Sequence, residues 1–159
     1  SMTVFEHAVA VTENNWLAHH NLSHAYMNDD QPEKAFFHAK ESVRIRPDYS
    51  YSTATLAWLQ AAYPDKEFYN PREAIQLGEA VCVKTNYRNP LFLETLSAAY
   101  AAAGRFAEAV STAEKAVELS RISQNESVTN EIIKRMLLYK SGKPYIWQPK
   151  KLSCEESGS

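Results

Sequence analysis

The chain has 159 residues, a formal net charge of -2 at pH 7 and 45% hydrophobic residues. A chain of this length forms one domain that buries roughly two thirds of its unfolded surface, and this composition excludes a disordered protein. The slight negative charge disfavours nucleic acid and anionic membranes as partners, and no apolar run reaches the roughly 18 residues of a membrane helix. Cys82 and Cys154 are too few for a disulfide framework or a four-cysteine zinc site.

The N-terminal residues predict one half of a helix pair. Phe5, Ala8 and Val11 recur at helical spacing and predict a helix over residues 3–12, the second helix of a preceding pair. Ser1-Met2 is interpreted as the remnant of a cleaved expression tag, so we expect the natural sequence to begin near residue 3 within a longer protein.

Two stretches of the chain repeat the same order of side chains. The run "HHNLSHAYMNDDQPEKA" from His19 aligns without gaps on "LETLSAAYAAAGRFAEA" from Leu93. Each stretch predicts a helix pair, over residues 16–28 and 33–46 and over residues 90–103 and 106–121, because small residues let two helices approach closely. The matched positions are Leu22 and Leu96, Ser23 and Ser97, Tyr26 and Tyr100, Asp30 and Gly104, Ala35 and Ala109, Ala39 and Ala113, and Ile45 and Leu119.

A weaker copy lies between these two stretches. Leu56, Ala57 and Ala74 occupy the corresponding apolar and small positions and predict helices over residues 50–62 and 71–84, but Gln60 replaces the tyrosine. Because Pro64 and Pro71 cannot continue a helix interior, the intervening residues are predicted to form an elongated loop. Its aromatic residues are expected to pack on the body of the protein or on a partner. They are Tyr63, Phe68 and Tyr69.

The C-terminal part of the chain predicts a cap followed by a tail. Apolar side chains at helical spacing predict a last helix over residues 127–141, which covers the open end of the preceding pair. They are Val128, Ile132, Met136 and Tyr139. Residues 148–159 are polar and predict a disordered tail, so residues 3–147 are expected to form a single domain.

The recurring apolar, small, aromatic and alanine positions, with Pro47 closing the first copy, resemble the tetratricopeptide repeat (TPR). The resemblance implies an all-α fold, a right-handed α-solenoid of antiparallel helix pairs. It implies about three repeats, an N-terminal half repeat and a C-terminal capping helix, with a concave groove lined by the first helix of each pair.

The groove is the predicted binding site for a protein or peptide. Asn21, Thr55 and Thr95 share one repeat position and are expected to hydrogen bond the backbone of an extended peptide, although exposure to solvent alone is the alternative. The candidate groove residues are Leu17, His20, Asn21, His24, Asn28, Tyr51, Thr55, Trp58, Glu94 and Thr95, with Ala98 beside them. Relatives that clamp a carboxylate place Lys, Asn and Arg where this chain has His20, His24, Thr55 and Glu94, which disfavours that mode.

The histidines and serines raise the question of metal binding or catalysis. His20 and His24 share a helix face, but no glutamate follows His20 and no third ligand lies in register, so we predict no metal site and no cofactor. His19 is expected to be a packing residue. If His20 and His24 face a ligand, binding is expected to vary between pH 5 and 8. Ser23 and Ser97 occupy small packing positions and lack an oriented base, so they are not predicted to be nucleophiles.

The leading functional prediction is therefore a non-catalytic module that binds a protein or peptide. A second hypothesis rests on resemblance, because residues 5–22, 89–110 and 137–145 look like the C-terminal TPR region of bacterial multi-spanning membrane glycosyltransferases. That resemblance implies a substrate-recruiting arm of a membrane-embedded enzyme, with no membrane contact by this segment. A third hypothesis is self-assembly into a homo-oligomer through exposed helix faces. The sequence predicts no compartment.

Overall fold

The computed structural model describes Val4, residues 15–65 and residues 67–148. Within these ranges the chain forms seven α-helices, whose ends agree with the predicted ends to within one residue. They are α1 (Trp16–Asn28), α2 (Pro32–Ile45), α3 (Ser50–Ala62), α4 (Pro71–Lys84), α5 (Pro90–Ala102), α6 (Phe106–Ile122) and α7 (Glu126–Lys140). Apart from Val4, the predicted helix over residues 3–12 lies outside the described residues, and so does the predicted tail from residue 149 onward.

Local signals in the sequence fix where the helices begin. Asparagine side chains cap four of the helices by accepting a hydrogen bond from a backbone N–H of the first turn, which otherwise has no partner. The caps are Asn15, Asn70, Asn89 and Asn125, which bond Ala18, Glu73, Leu91 and Val128. Three helices start on a proline, whose missing N–H costs nothing at that position.

The helices stack as pairs in chain order. Each helix packs on the next one along the chain, and α3 also packs on α5. Side-chain bonds link α1 to α3 through His24 and Thr55, and link α5 to α7 through Glu94 and Arg135. Helices α1, α3, α5 and α7 therefore form one wall, and the predicted all-α solenoid with a capping helix is confirmed.

The repeated residues form the contacts between helices. The apolar positions Leu22, Leu56 and Leu96 are all buried. The small positions on the second helices are fully buried as well, because the paired helices leave no room for larger side chains there. They are Ala35, Ala74 and Ala109, each with 0% exposure.

The loop between α3 and α4 packs into the body of the protein, as the sequence predicted. Tyr63 and Phe68 are buried, and the Phe68 ring stacks on Phe36 of α2 with the ring centroids 4.7 Å apart. The Tyr69 hydroxyl donates a hydrogen bond to the carbonyl oxygen of Ala102 at 3.3 Å. The loop thus ties the middle helix pair to both of its neighbours.

The residues after α7 turn back toward the middle of the solenoid, which the sequence did not indicate. We call residues 142–148 the C-terminal strap. The backbone N–H of Trp147 donates to the carbonyl oxygen of Ala62 at 2.9 Å, and the Trp147 ring stacks on Tyr63 at 4.8 Å. Tyr145 lies against Trp58, with the ring centroids 5.4 Å apart. The strap therefore joins the last helix to the end of α3.

None of the helices in the described part of the chain has the length and apolar character of a membrane span.

Candidate binding groove

A cavity of about 240 Å³ opens in the wall formed by the first helices of the pairs. Six of the predicted groove residues line it. They are His24, Tyr51, Thr55, Trp58, Glu94 and Thr95. Four further residues, which the sequence analysis did not select, complete the lining. They are Met27, Ala54, Leu91 and Arg135.

The remaining predicted residues lie outside the cavity. Leu17 and Asn28 are exposed at the two ends of α1, and Asn21 is partly buried. His20 is also partly buried, and its ring centroid lies 4.7 Å from that of His24, so it borders the cavity. Ala98 is buried in the core, because α7 packs over this end of the solenoid, and it is not available to a ligand.

His20 is held by a chain of hydrogen bonds between α1, α2 and α3. Its Nδ1 lies 3.2 Å from the Ser52 hydroxyl, which lies 2.7 Å from the Ser42 hydroxyl. The Ser42 hydroxyl donates to the carbonyl oxygen of Trp16 at 2.9 Å. The ring of Tyr49 meets the His20 ring edge-on at 5.3 Å. These contacts fix the orientation of the imidazole beside the cavity.

His24 and Thr55 bond each other across α1 and α3. The Nε2 atom of His24 lies 3.2 Å from the Thr55 hydroxyl, and that hydroxyl donates to the carbonyl oxygen of Tyr51 at 2.9 Å. The Thr95 hydroxyl likewise donates to the carbonyl oxygen of Leu91 at 3.1 Å. The two threonines therefore donate their hydroxyl protons to their own helices, and a peptide could only donate to their oxygen atoms. Their predicted bonding to a peptide backbone stays a prediction.

Loss of hydration favours the uncharged form of both groove histidines. Loss of hydration and, as a smaller cause, the neighbouring His24 together lower the pKa of His20 to about 4. Partial loss of hydration also lowers the pKa of His24 below its ordinary value of 6.5, although the residue as a whole is exposed to solvent. The low pKa of His20 places its change of charge below pH 5. The predicted variation of ligand binding between pH 5 and 8 then depends on His24 and stays a prediction.

Glu94 and Arg135 form an ion pair at the side of the cavity nearest α7. The Arg135 guanidinium lies against two neighbouring aromatic rings, 5.0 Å from the Trp58 centroid and 4.8 Å from the Tyr145 centroid. Such stacking on aromatic faces is favourable for a guanidinium group. The sequence pattern missed Arg135, because α7 was identified only by its apolar stripe and the strap that contributes Tyr145 gave no signal.

The other histidines and the serines have packing roles. His19 is buried, and its Nδ1 lies 2.8 Å from Nδ1 of His38. Ser23 and Ser97 are buried and donate their hydroxyl protons to backbone carbonyl oxygens, as expected for packing positions. Within the described residues, no three His, Cys, Asp or Glu side chains lie close enough together to hold a metal ion. Cys82 is a free thiol in the core.

The stacked helix pairs and their grooved wall define an α-solenoid. The tetratricopeptide repeat family model matches residues 18–49 and 92–122, which are the first and third helix pairs. These two matches identify two tetratricopeptide repeats in the chain, in agreement with the resemblance seen in the sequence. A comparison with curated proteins gives no match.

Proposed function

We propose that the protein is a non-catalytic binding module that holds a peptide segment of a partner protein in the groove formed by α1, α3, α5 and α7. One observation carries this proposal, namely the cavity of about 240 Å³ on the wall of the solenoid. Apolar and aromatic side chains dominate its lining, and a few polar groups converge on it, which is typical of a recognition site. The tetratricopeptide matches support it, because such repeats commonly bind proteins or peptides.

A pair of substitutions tests whether the cavity is the binding site. Leu91 lines the cavity and is 47% exposed, whereas Val83 on α4 is 59% exposed and lies outside it. Leu91→Asp and Val83→Asp each replace an exposed aliphatic side chain by a carboxylate, so both variants should keep the fold. Both would be applied with the unmodified protein to an array of immobilised nine-residue peptides. We expect Leu91→Asp to weaken binding at least tenfold and Val83→Asp to leave it unchanged.

Two outcomes of that experiment oppose the proposal. Binding that survives Leu91→Asp places the peptide elsewhere on the protein. Equal losses in both variants indicate an effect of added negative charge that does not depend on the cavity.

A finer proposal is that the chain is the substrate-recruiting arm of a bacterial multi-spanning membrane glycosyltransferase. It is supported by the sequence resemblance over residues 5–22, 89–110 and 137–145. The complete open reading frame tests it, because about ten or more apolar spans before this segment are expected for such a parent protein. A reading frame without them removes the proposal.

Self-association is a second candidate, favoured by apolar side chains left exposed on the last two helices. Ile122 of α6 and Leu137 of α7 are both exposed. Such surfaces often mark protein contacts. Light scattering over a dilution series should then detect a dimer that dissociates on dilution, and a monomer at the highest concentration counts against it.

A further inference from the structure

The hydrogen bonds around His20 decide which of its ring nitrogens carries the proton. A hydroxyl group has one proton to donate. Ser42 gives its proton to the carbonyl oxygen of Trp16, which can only accept. In the contact between Ser42 and Ser52, Ser52 must therefore be the donor. Since the proton of Ser52 is used there, Nδ1 of His20 must donate to the Ser52 oxygen. Nδ1 carries the proton, and Nε2 has a free lone pair.

Counting the hydroxyl protons in the same way shows that His24 is protonated on its other ring nitrogen, Nε2. The hydroxyl of Thr55 donates to the carbonyl oxygen of Tyr51, so it can only accept from His24. Nε2 of His24 must therefore be the protonated nitrogen. In the neutral ring, Nδ1 of His24 then has a lone pair and is a hydrogen-bond acceptor.

The two histidines thus present two acceptor nitrogens at the border of the cavity. Within the described part of the chain, neither Nε2 of His20 nor Nδ1 of His24 has a hydrogen-bond partner, and Nε2 of His20 is not a buried atom. Both rings are on one face of α1, with their centroids 4.7 Å apart. A ligand that reaches both nitrogens must bring hydrogen-bond donors.

The rest of the cavity shows which kind of donor fits. Tyr51 and Trp58 line it with aromatic rings, against which the aliphatic part of a long side chain can pack and a cation is attracted. Among the residues that line the cavity, the cation Arg135 is already paired with Glu94, so no unpaired positive charge repels a basic ligand. A carboxylate would face two lone pairs, so a proton would have to be added to it or to a histidine. Burial of His20 opposes the charged imidazole that such a proton would create.

We infer that the groove recognises a lysine or arginine side chain of the bound peptide, whose N–H groups donate to Nε2 of His20 and Nδ1 of His24 while its aliphatic part lies against Tyr51 and Trp58. This inference rests on the proposed function, because it names the side chain that the peptide site selects. It also explains why this groove has histidine acceptors at positions where relatives that bind a carboxylate have hydrogen-bond donors.

The tautomers can be tested in the protein without any ligand. Long-range proton–nitrogen NMR spectra of protein labelled with ¹⁵N in its histidines, recorded at pH 7, should show His20 protonated at Nδ1 alone and His24 at Nε2 alone. The variants His20→Gln and His24→Gln assign the signals. A His20 ring protonated at Nε2, or a doubly protonated ring of either residue, overturns the inference.

Selection of the side chain is tested with immobilised nine-residue peptides of mixed flanking sequence. Their central residue is lysine, arginine, glutamate or norleucine, and norleucine retains the aliphatic chain of lysine but has no ammonium group. We expect lysine and arginine peptides to bind at least tenfold more tightly than the norleucine and glutamate peptides. If the peptides bind without this preference, the inference is wrong and the proposed function stands. If no peptide binds at all, both fail.

A matched pair of variants locates the preference. His24 and Gln76 are both exposed polar residues on helices, and Gln76 lies on α4, away from the cavity. His24→Leu should abolish the preference for lysine over norleucine, whereas Gln76→Leu should keep it at tenfold or more. A preference that persists in His24→Leu excludes this histidine as the acceptor and contradicts the inference.

Discussion

In the first and third helix pairs a tyrosine, Tyr26 or Tyr100, stands near the end of the first helix, whereas the middle pair has Gln60 at that position. The family model matches the two outer pairs and not the middle one. Nevertheless, among the helices that the structure describes, α3 of the middle pair has the most buried residues, ten of its 13. The middle pair therefore keeps the packing of its neighbours with different residues.

The loop between α3 and α4 adds buried aromatic side chains to the pair that lacks the tyrosine. Gln60 is buried and donates from its side-chain nitrogen to Glu73 at 2.8 Å, while Tyr63 and Phe68 of the loop enter the apolar cluster. The backbone N–H of Asn70 closes the loop by donating to the carbonyl oxygen of Gln60 at 3.0 Å. An insertion that looks like a defect in the repeat is thus part of the core.

The largest expected effect comes from removing Phe68, the buried loop aromatic that stacks on a side chain of another helix pair. Phe68→Ala should lower the free energy of unfolding by about 3–4 kcal/mol, because it leaves a cavity between the loop and Phe36. Urea denaturation of the variant measures the loss. Tyr69→Phe, which removes one hydroxyl bond to Ala102, serves as the control and should cost about 1 kcal/mol or less. A loss below about 1 kcal/mol for Phe68→Ala would show that the loop is dispensable.

The C-terminal strap should contribute next most to the middle pair. Trp147 is partly buried against Tyr63, so Trp147→Ala should lower the free energy of unfolding by about 2 kcal/mol. Amide hydrogen exchange should show faster exchange at the C-terminal end of α3, next to Ala62. The neighbouring exposed residue provides the control, since Gln148→Ala should leave exchange unchanged. Unchanged exchange in Trp147→Ala contradicts a structural role for the strap.

The first and third helix pairs should respond differently to low pH, because the first has His20 at the position where the third has Glu94. The folded-state pKa of His20 is about 4, below its ordinary value of 6.5, so the unfolded chain binds more protons between these two values. The stabilising contribution of uncharged His20 is therefore complete above pH 6.5 and is lost as the pH falls toward 4. After allowance for its partial exposure, the loss in the free energy of unfolding is about 1–2 kcal/mol. Denaturation at pH 7 and pH 4 should show a smaller loss in His20→Gln. Equal losses in the two proteins would contradict this role of His20.

The smallest predicted effect concerns the small position of the middle pair, where Gly78 stands in place of Ala39 and Ala113. A Cβ atom at Gly78 would lie 3.2 Å from Cα of Leu96. Alanine usually stabilises a helix interior by about 1 kcal/mol relative to glycine, but overpacking costs about 1–3 kcal/mol. We expect Gly78→Ala to destabilise the protein by about 1 kcal/mol in thermal denaturation, with a smaller penalty in a Leu96→Ala background. A gain in stability would mean that α4 and α5 can separate.

Much of the fold could be predicted from the sequence because its signals are local. Asparagine caps and prolines at helix starts act within one turn of a helix, and the recurrence of Leu22, Leu56 and Leu96 can be recognised along the sequence without knowledge of the fold. Six of the ten predicted groove residues line the cavity, since the repeat register places one face of each first helix on the wall. Met27 and Leu91 were missed because apolar residues at helical spacing look like core, and Arg135 because it comes from the capping helix.

The sequence alone determined that paired helices recur and stack, since that follows from side-chain size and period. Tertiary structure decided the rest, because it depends on residues far apart in the chain meeting in space. The strap returns Trp147 to Tyr63, the loop inserts Phe68 beside Phe36, and Arg135 meets Glu94 across two helices. The protonated nitrogen of His20 is likewise set by Ser52 and Ser42, which reach it only after folding.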